Sequence, residues 1–440
     1  MFHIDECILY RNFPHGDILK DMTDALSICC KEPEAPEKSK PLFYSCMNRL
    51  VEMANDYGFR GDLWNHYLTW LLVNHENAFS VSCEITGLTH SPSLNALALH
   101  DFAIFKDLFH LDFSAFESFY GTSSCCNLIS NYQTEHQRGL YVNERISGRL
   151  SALSSLLENS ASPEEFMEHI VDFYKDFGVG KLGLHKAFRL EHKNPAQTTE
   201  IIPITRVAHV KLDDLVGYEL EKKKLTDNTE AFLAGKPANN CLLFGDAGTG
   251  KSTCIKAILN QYYEKGLRII EVYKHQFQDL NDVIAQIKNR NYKFIIYMDD
   301  LSFEDFEIEY KYLKAVIEGG LEKKPNNVLI YATSNRRHLI RESFRDKNER
   351  DDDLHTNDTV QEKLSLVSRF GITIYFGSPE KKEFQNIVLA LAKRNEINMP
   401  EDEILAKANI WELQHGGLSG RTAQQFIDYL KRTLYSKNHL

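Results

Sequence analysis

Cys241-Leu-Leu-Phe-Gly245-Asp-Ala-Gly-Thr-Gly250-Lys-Ser-Thr253 is the stretch that decides the fold of this chain. Its four leading residues are apolar, as a strand buried on both faces requires. Gly245 to Ser252 then fit the spacing G-x-x-x-x-G-K-[ST], and Cys254 to Tyr263 continue at helical spacing. Strand, glycine-rich loop and helix in that order make a phosphate cradle. Glycines at 245, 248 and 250 let the backbone take positive φ and turn successive N–H groups towards a polyphosphate at the positive end of the following helix. Candidate nucleotide-binding residues are therefore Gly245, Asp246, Ala247, Gly248, Thr249, Gly250, Lys251, Ser252 and Thr253. In this pattern Lys251 reaches the β- and γ-phosphates and Ser252 holds Mg²⁺.

Downstream, strand and helix alternate as a doubly wound parallel sheet requires. Leu267 to Tyr273 is β-rich and Leu280 to Lys288 helical. Phe294 to Met298 is an apolar strand ending in Asp299-Asp300, Glu307 to Leu321 is a helix, and Val328 to Ala332 is a strand ending in Thr333-Ser334-Asn335. Glu342 to Lys363, with Asp351-Asp352-Asp353, reads as a polar loop or lid. A last strand spans Ile372 to Phe376. After Ser378-Pro379 three helices are expected, over Lys382 to Asn395, Glu403 to Leu413 and Arg421 to Leu434.

Upstream, the chain is mostly helical to about Gly178 and carries no chemical motif. Helices are expected over Asp17 to Cys30, Leu42 to Tyr57 and Asp62 to Asn74, with Glu32 to Pro41 as a proline-broken loop. In the third helix Trp64, Leu68, Leu71 and Leu72 share a face. Leu94, Ala98, Phe102, Phe105 and Phe109 form a second apolar stripe. Ser162-Pro163-Glu164-Glu165 opens a further helix with a hydroxyl cap and a capping-box glutamate. From Leu184 to Arg206 two β-rich runs around Asn194-Pro195 suggest a hairpin. The expected division is a helical domain over 1–180, a β-rich connector over 181–208, a nucleotide-binding α/β domain over 209–377 and a helical lid over 378–440.

With 440 residues, there is chain enough for two or three domains. A net charge of −11 argues against general attraction to nucleic acid or anionic lipid, without excluding a local basic patch. No apolar run approaches membrane-spanning length, and the first residues lack a basic region followed by an apolar core, so a cytoplasmic location is expected. Nine cysteines without C-x-x-C spacing fit reduced thiols. Cys241 and Cys254 flank the loop on apolar faces and are expected to pack.

The strand ends complete the chemistry. A carboxylate at the carboxyl edge of the sheet beside Ser252 is what a Mg²⁺ site needs, and Asp299 fits. Asp300 is then placed to polarise an attacking water, which the Asn335 amide could orient. The same acids, with Glu304 and Asp305, would also suit the positive end of the next helix.

With these motifs together, the second half resembles an AAA+ ATPase. The resemblance makes Gly245 to Ser252 the Walker A loop, Phe294 to Asp300 Walker B and Asn335 the first sensor. It implies an arginine finger at Arg369, with Arg336 and Arg337 as rivals, and a second sensor at Arg421 in Gly416-Gly-Leu-Ser-Gly-Arg421. From about Leu184 onward the chain is more similar still to the uncharacterised prokaryotic domain-of-unknown-function 815 family. The segments that carry this likeness are Asn239 to Gly245, Asp299 to Phe303, Tyr331 to His338 and Glu362 to Gly371. The resemblance implies ATP, Mg²⁺ and a homo-oligomer whose finger acts on the neighbouring protomer. One departure is Asp300, where most AAA+ proteins carry glutamate; a carboxylate about 1 Å back can slow a reaction roughly 100-fold. The expectation is an ATPase coupling hydrolysis to work on an unknown protein partner chosen by the N-terminal domain. Alternatives are a nucleotide-dependent scaffold or switch with little hydrolysis, and a nucleic-acid-linked loader, which the Asp299-Asp300 pair suggests and the acidic balance disfavours.

Overall fold

The structure, a computed structural model, describes residues 4–31, 36–111, 113, 123–133, 144–192, 199–303, 309–318, 325–335, 339 and 366–437. The chain divides into two compact units, Met1–Leu184 and His185–Leu440.

The first unit is helical. Its described helices are α1 (Gly16–Lys31), α2 (Pro36–Tyr57), α3 (Leu63–Asn74), α4 (Ala78–Thr86), α5 (Pro92–Phe109), α6 (Ser123–Ser130), α7 (Glu144–Glu158), α8 (Pro163–Phe177) and α9 (Gly180–Leu184). Helix α3 buries every residue from Leu63 to Val73, not one face. A helix apolar all round belongs at the centre of its unit, and α3 packs on α2, α5 and α7. Asp62 caps it, accepting the Asn65 N–H at 2.8 Å. The stripe on α5 is core, with Ala98, Phe102, Phe105 and Phe109 buried. Buried Asp101 on the same helix accepts backbone N–H groups from Ile8, Leu9 and Tyr10. The proline-broken loop ends earlier than the sequence suggests: α2 begins at Pro36 and runs through Pro41, forfeiting one ladder hydrogen bond there. At the start of α8, Ser162 accepts the Glu165 N–H, while the Glu165 carboxylate takes the Ala161 N–H.

The second unit is built on a seven-stranded sheet among the described residues, ordered β2-β1-β4-β5-β6-β3-β7. The strands are β1 (Ala187–Glu191), β2 (Glu200–Pro203), β3 (Cys241–Gly245), β4 (Leu267–Glu271), β5 (Lys293–Met298), β6 (Val328–Ser334) and β7 (Ile372–Phe376). β1 and β2 form the expected hairpin, and β1 also pairs parallel to β4, so the stretch read as a connector extends the sheet. From β4 to β7 all pairing is parallel. Helices α10 (Glu219–Leu233), α11 (Lys251–Tyr262), α12 (Leu280–Ile287) and α13 (Glu309–Glu318) accompany the sheet. Of these α10 was not read from the sequence. The core beside the loop includes Cys241, Cys254, Ile258 and Leu329, and both cysteines are buried free thiols. After β7 come α14 (Lys381–Arg394), α15 (Glu401–Gln414) and α16 (Gly420–Lys437), packed around Phe384, Val388, Ile404, Phe426 and Ile427. This α/β sheet with an appended helical domain is the expected fold class. The segment 342–363 and the rival fingers Arg336 and Arg337 lie outside the described residues. Among those residues no helix is long and apolar enough to cross a membrane.

Candidate nucleotide site

β3 lies between β6 and β7 while the next strand in sequence, β4, joins the sheet three strands away, beyond β6 and β5. A crevice opens outside the carboxyl ends of strands at such a switch in order. The loop after β3 fills it. Gly245 has φ 135°, and a Cβ there would stand 2.1 Å from the Phe376 carbonyl oxygen. Gly248 and Gly250 have φ 77° and 97°. Side chains there would press on Arg421 and on Leu215. Gly245 therefore lets β7 pass against the loop, and Gly248 and Gly250 keep the loop clear of side chains that would crowd it.

Lys251 opens α11 and is buried. Its Nζ donates to Gly245 O at 3.0 Å and Asp246 O at 2.6 Å. Burial holds its pKa below the usual lysine value against the opposing charges of Asp246, Asp300 and Asp299. Thr249 Oγ1 donates to Asp246 O and closes the turn.

Pairing of Met298 with Ala332 brings the ends of β5 and β6 side by side. There Asp299 Oδ1 accepts three hydroxyl hydrogen bonds, from Ser252 at 2.8 Å, Tyr297 at 2.7 Å and Thr333 at 2.6 Å. Burial would raise the Asp299 carboxyl, but the bonds from Thr333, Tyr297 and Ser252 outweigh it and hold the pKa below the usual aspartate value. Asp300 follows at φ 51°, left-handed for a side-chain-bearing residue. Its N–H donates to Thr333 Oγ1 at 3.0 Å, and its Oδ1 accepts from Asn335 Nδ2 at 2.8 Å. Thr333 thus grips Asp299 with its proton and Asp300 with its lone pair.

These groups open on one cavity of about 670 Å³, a size suited to a nucleotide. Ala247 to Thr253, Asp299, Asp300, Thr333, Asn335 and Arg421 line it. Leu215, Val216, Ile387 and Leu391, the last two on α14, give the lining its apolar part. Arg421 begins α16, and its N–H donates to Gly248 O at 3.2 Å. Gly245 and Asp246 do not line the cavity; Asp246 turns its carboxylate to Ser378. Arg369 is not brought there either. It precedes Ile372, the partner of Cys241 at the start of β3, and so lies beyond the amino ends of the strands, opposite the loop.

Three contributors escaped sequence reading. Thr333 and Tyr297 sit in apolar strands, and their hydroxyls meet Asp299 only through register. Tyr218 holds the chain beyond β7, its hydroxyl donating to Gly377 O at 2.7 Å.

The model of the family described as Protein of unknown function (DUF815) matches residues 184–434. No curated protein matches the chain. Solved structures similar to it include two mutant forms of Thermotoga maritima RuvB. One is 18% identical with a TM-score of 0.38, over 52% of this chain and 66% of that one. The other is 17% identical with a TM-score of 0.37, over 52% and 67%. A third, the Thermotoga maritima RuvB Holliday junction branch migration motor, is 15% identical with a TM-score of 0.31, over 50% and 71%. The chain thus spans about two thirds of the length of these structures.

Proposed function

The chain belongs to the DUF815 family, and on that premise we propose that its second unit is an AAA+ type core that binds ATP with Mg²⁺ and hydrolyses it to move its helical lid. The observation that carries this reading is the convergence of Lys251, Ser252 and an ionised Asp299 on one cavity beside a loop whose glycines leave room for phosphate.

The residues fit the two groups. The Ser252 hydroxyl and the Asp299 carboxylate are hard oxygen donors, suited to Mg²⁺, which binds through one or two carboxylates and substrate phosphates. The bound ion supplies positive charge to the transferring phosphoryl oxygens. Everything else falls to the chain. Loop amides and Lys251 hold the phosphates, the ammonium leaving the Gly245 and Asp246 carbonyls to do so. Asp300 accepts the proton of the attacking water, held in place by Thr333 and Asn335. Arg421, at the start of α16, ties the phosphate end to the lid. The apolar walls Leu215, Val216, Ile387 and Leu391 receive the base.

Arg369 is the arginine finger in this reading, acting on a neighbouring protomer. Its place at the far edge of the sheet from its own loop supports action in trans. Fingers in related enzymes contribute about 10³ to 10⁵ in rate. The N-terminal helical unit chooses a protein partner, and the cytoplasm is the site of action.

A second reading is a nucleotide switch with little turnover. Asp300 favours it: its carboxylate is short, held at a left-handed turn and bonded to Asn335.

ATP turnover against protein concentration, with assembly followed by light scattering, separates the two. Turnover that rises with assembly, and an Arg369→Ala variant that assembles but stays slow, support the motor. Tight binding without turnover at any concentration supports the switch. Lys251→Ala binding ATP as tightly as wild type would overturn both.

A further inference from the structure

The chain passes from β7 to the lid through Phe376, Gly377 and Ser378, and each of the three is held by a residue of the nucleotide site. The Phe376 carbonyl accepts the Asp246 N–H at 3.0 Å. The Gly377 carbonyl accepts the Tyr218 hydroxyl at 2.7 Å. Ser378 donates its N–H and its hydroxyl to Asp246 Oδ2, at 2.8 and 2.9 Å. The Tyr218 ring also packs on Phe376, with centroids 5.2 Å apart.

Asp246 has a third engagement. Its carbonyl accepts the Lys251 ammonium at 2.6 Å. One residue therefore touches the phosphate-binding lysine with its C=O and grips the hinge with its N–H and carboxylate. Phosphate that draws Lys251 off this carbonyl alters the residue that clasps the hinge. Tyr218 lines the cavity, so an occupant bears on the second clasp as well.

We propose that Asp246 and Tyr218 are positioning residues that carry the state of the nucleotide site to the lid through the hinge at 376–378. The inference rests on the nucleotide-binding reading and goes beyond it by assigning the route of coupling. Neither residue performs chemistry in this role. Both act through Phe376, Gly377 and Ser378.

The test is hydrogen exchange on the full chain, with and without saturating Mg²⁺ and ATPγS, in wild type, Ser378→Ala and Ser378→Ala/Tyr218→Phe. Binding is checked in parallel with a fluorescent ATP analogue. Each hinge bond removed should speed ligand-free exchange over 376–380 about two- to fivefold. The nucleotide-dependent difference over α14, 381–394, should fall by at least half in the double variant at full occupancy, and Ser378→Thr should restore the Ser378 share. A merely structural clasp would change exchange equally with and without nucleotide. A double variant whose α14 responds to nucleotide as wild type does overturns the coupling alone. If wild type binds no ATP analogue, the function reading falls and the coupling with it. Ser378→Ala, which removes one exposed hydroxyl, carries the same comparison if the double variant does not fold.

Discussion

Replacing Thr333 by valine keeps the shape of a side chain that is 1% exposed and removes only its hydroxyl. That hydroxyl donates to Asp299 at 2.6 Å and accepts the Asp300 N–H at 3.0 Å. A hydrogen bond to an ionised group contributes about 1.5–3 kcal/mol, and an orphaned donor costs about 1–3 kcal/mol where water cannot reach it. Asp299 and Asp300 are both exposed, so water recovers part of both terms. The expected loss is about 1–2 kcal/mol in the second unit, read as a shift in the urea midpoint of its transition. The sign with pH follows from Asp299, whose folded pKa lies below its unfolded one. Such a carboxylate stabilises the fold above the unfolded value and loses that contribution as pH falls through the folded value. Thr333→Val raises the folded pKa, so its deficit against wild type is largest near neutrality and shrinks in acid. Loss of a group supporting a metal ligand typically weakens metal affinity 10- to 100-fold. The Mg²⁺ midpoint for ATP binding should move by that factor, and Thr333→Ser should restore it. A valine variant matching wild type in urea midpoint at pH 7 and in Mg²⁺ midpoint would refute the bridging role.

Gly245→Ala sets a Cβ 2.1 Å from the Phe376 carbonyl, backbone against backbone, and should cost about 3 kcal/mol or more or abolish soluble protein. Gly217→Ala, at φ 82° with nothing within 4 Å, should cost only about 1 kcal/mol; thermal unfolding of the pair separates crowding from backbone strain. Asp300→Asn should leave ATP affinity nearly intact and lower single-turnover hydrolysis about 10²- to 10⁴-fold, the range for a positioned base. Asp62, half-buried at the start of α3, has its carboxyl pushed up to about 6, first by desolvation. The folded form then favours the protonated acid, so the stability of the first unit falls as pH rises from about 4 to 6. Asn caps a helix as well as Asp, so Asp62→Asn should gain about 1–2 kcal/mol at pH 7.5 and almost nothing at pH 4, measured by urea denaturation.

How much of this was legible depends on the range over which each constraint acts. The loop was legible because its demands are local: Gly245, Gly248 and Gly250 answer steric limits set within a few residues. Strands β5 and β6 were legible as apolar runs, and Asp299 and Asn335 as polar residues at their ends. The role of Thr333 was not, because a threonine ending a buried strand looks like any β-branched residue until register sets it beside Asp299. Helix α3 misled for the opposite reason. Periodicity finds one apolar face, and α3 has polar Asn65, His66 and Thr69 that are also buried, the His66 ring and the Thr69 hydroxyl each compensated by hydrogen bonds within the unit. The hinge clasp joins Asp246 to Ser378 across a separation of 132 residues, and no local pattern foretells it.

The parallel register explains why so few residues suffice. Five parallel strands, from β4 to β7 through β3, end on one edge of the sheet, so whatever follows each strand meets its neighbours there. β3 delivers the loop, β5 the two aspartates and β6 the threonine and asparagine, while β7 delivers the hinge. Adjacent strands lie about 4.8 Å apart, close enough for one hydroxyl to bridge two of them, as Thr333 does. Because β7 neighbours β3, the hinge must leave the sheet beside the phosphate loop, and Gly245 has no Cβ because Phe376 passes against it. The contact between loop and lid is therefore a consequence of strand order. The same order sends Arg369, at the opposite end of β7, away from its own loop. In the proposed motor a finger there serves a site on a neighbouring chain, and so Arg369→Ala should slow turnover in the assembly while leaving a monomer's ATP affinity within about twofold of wild type.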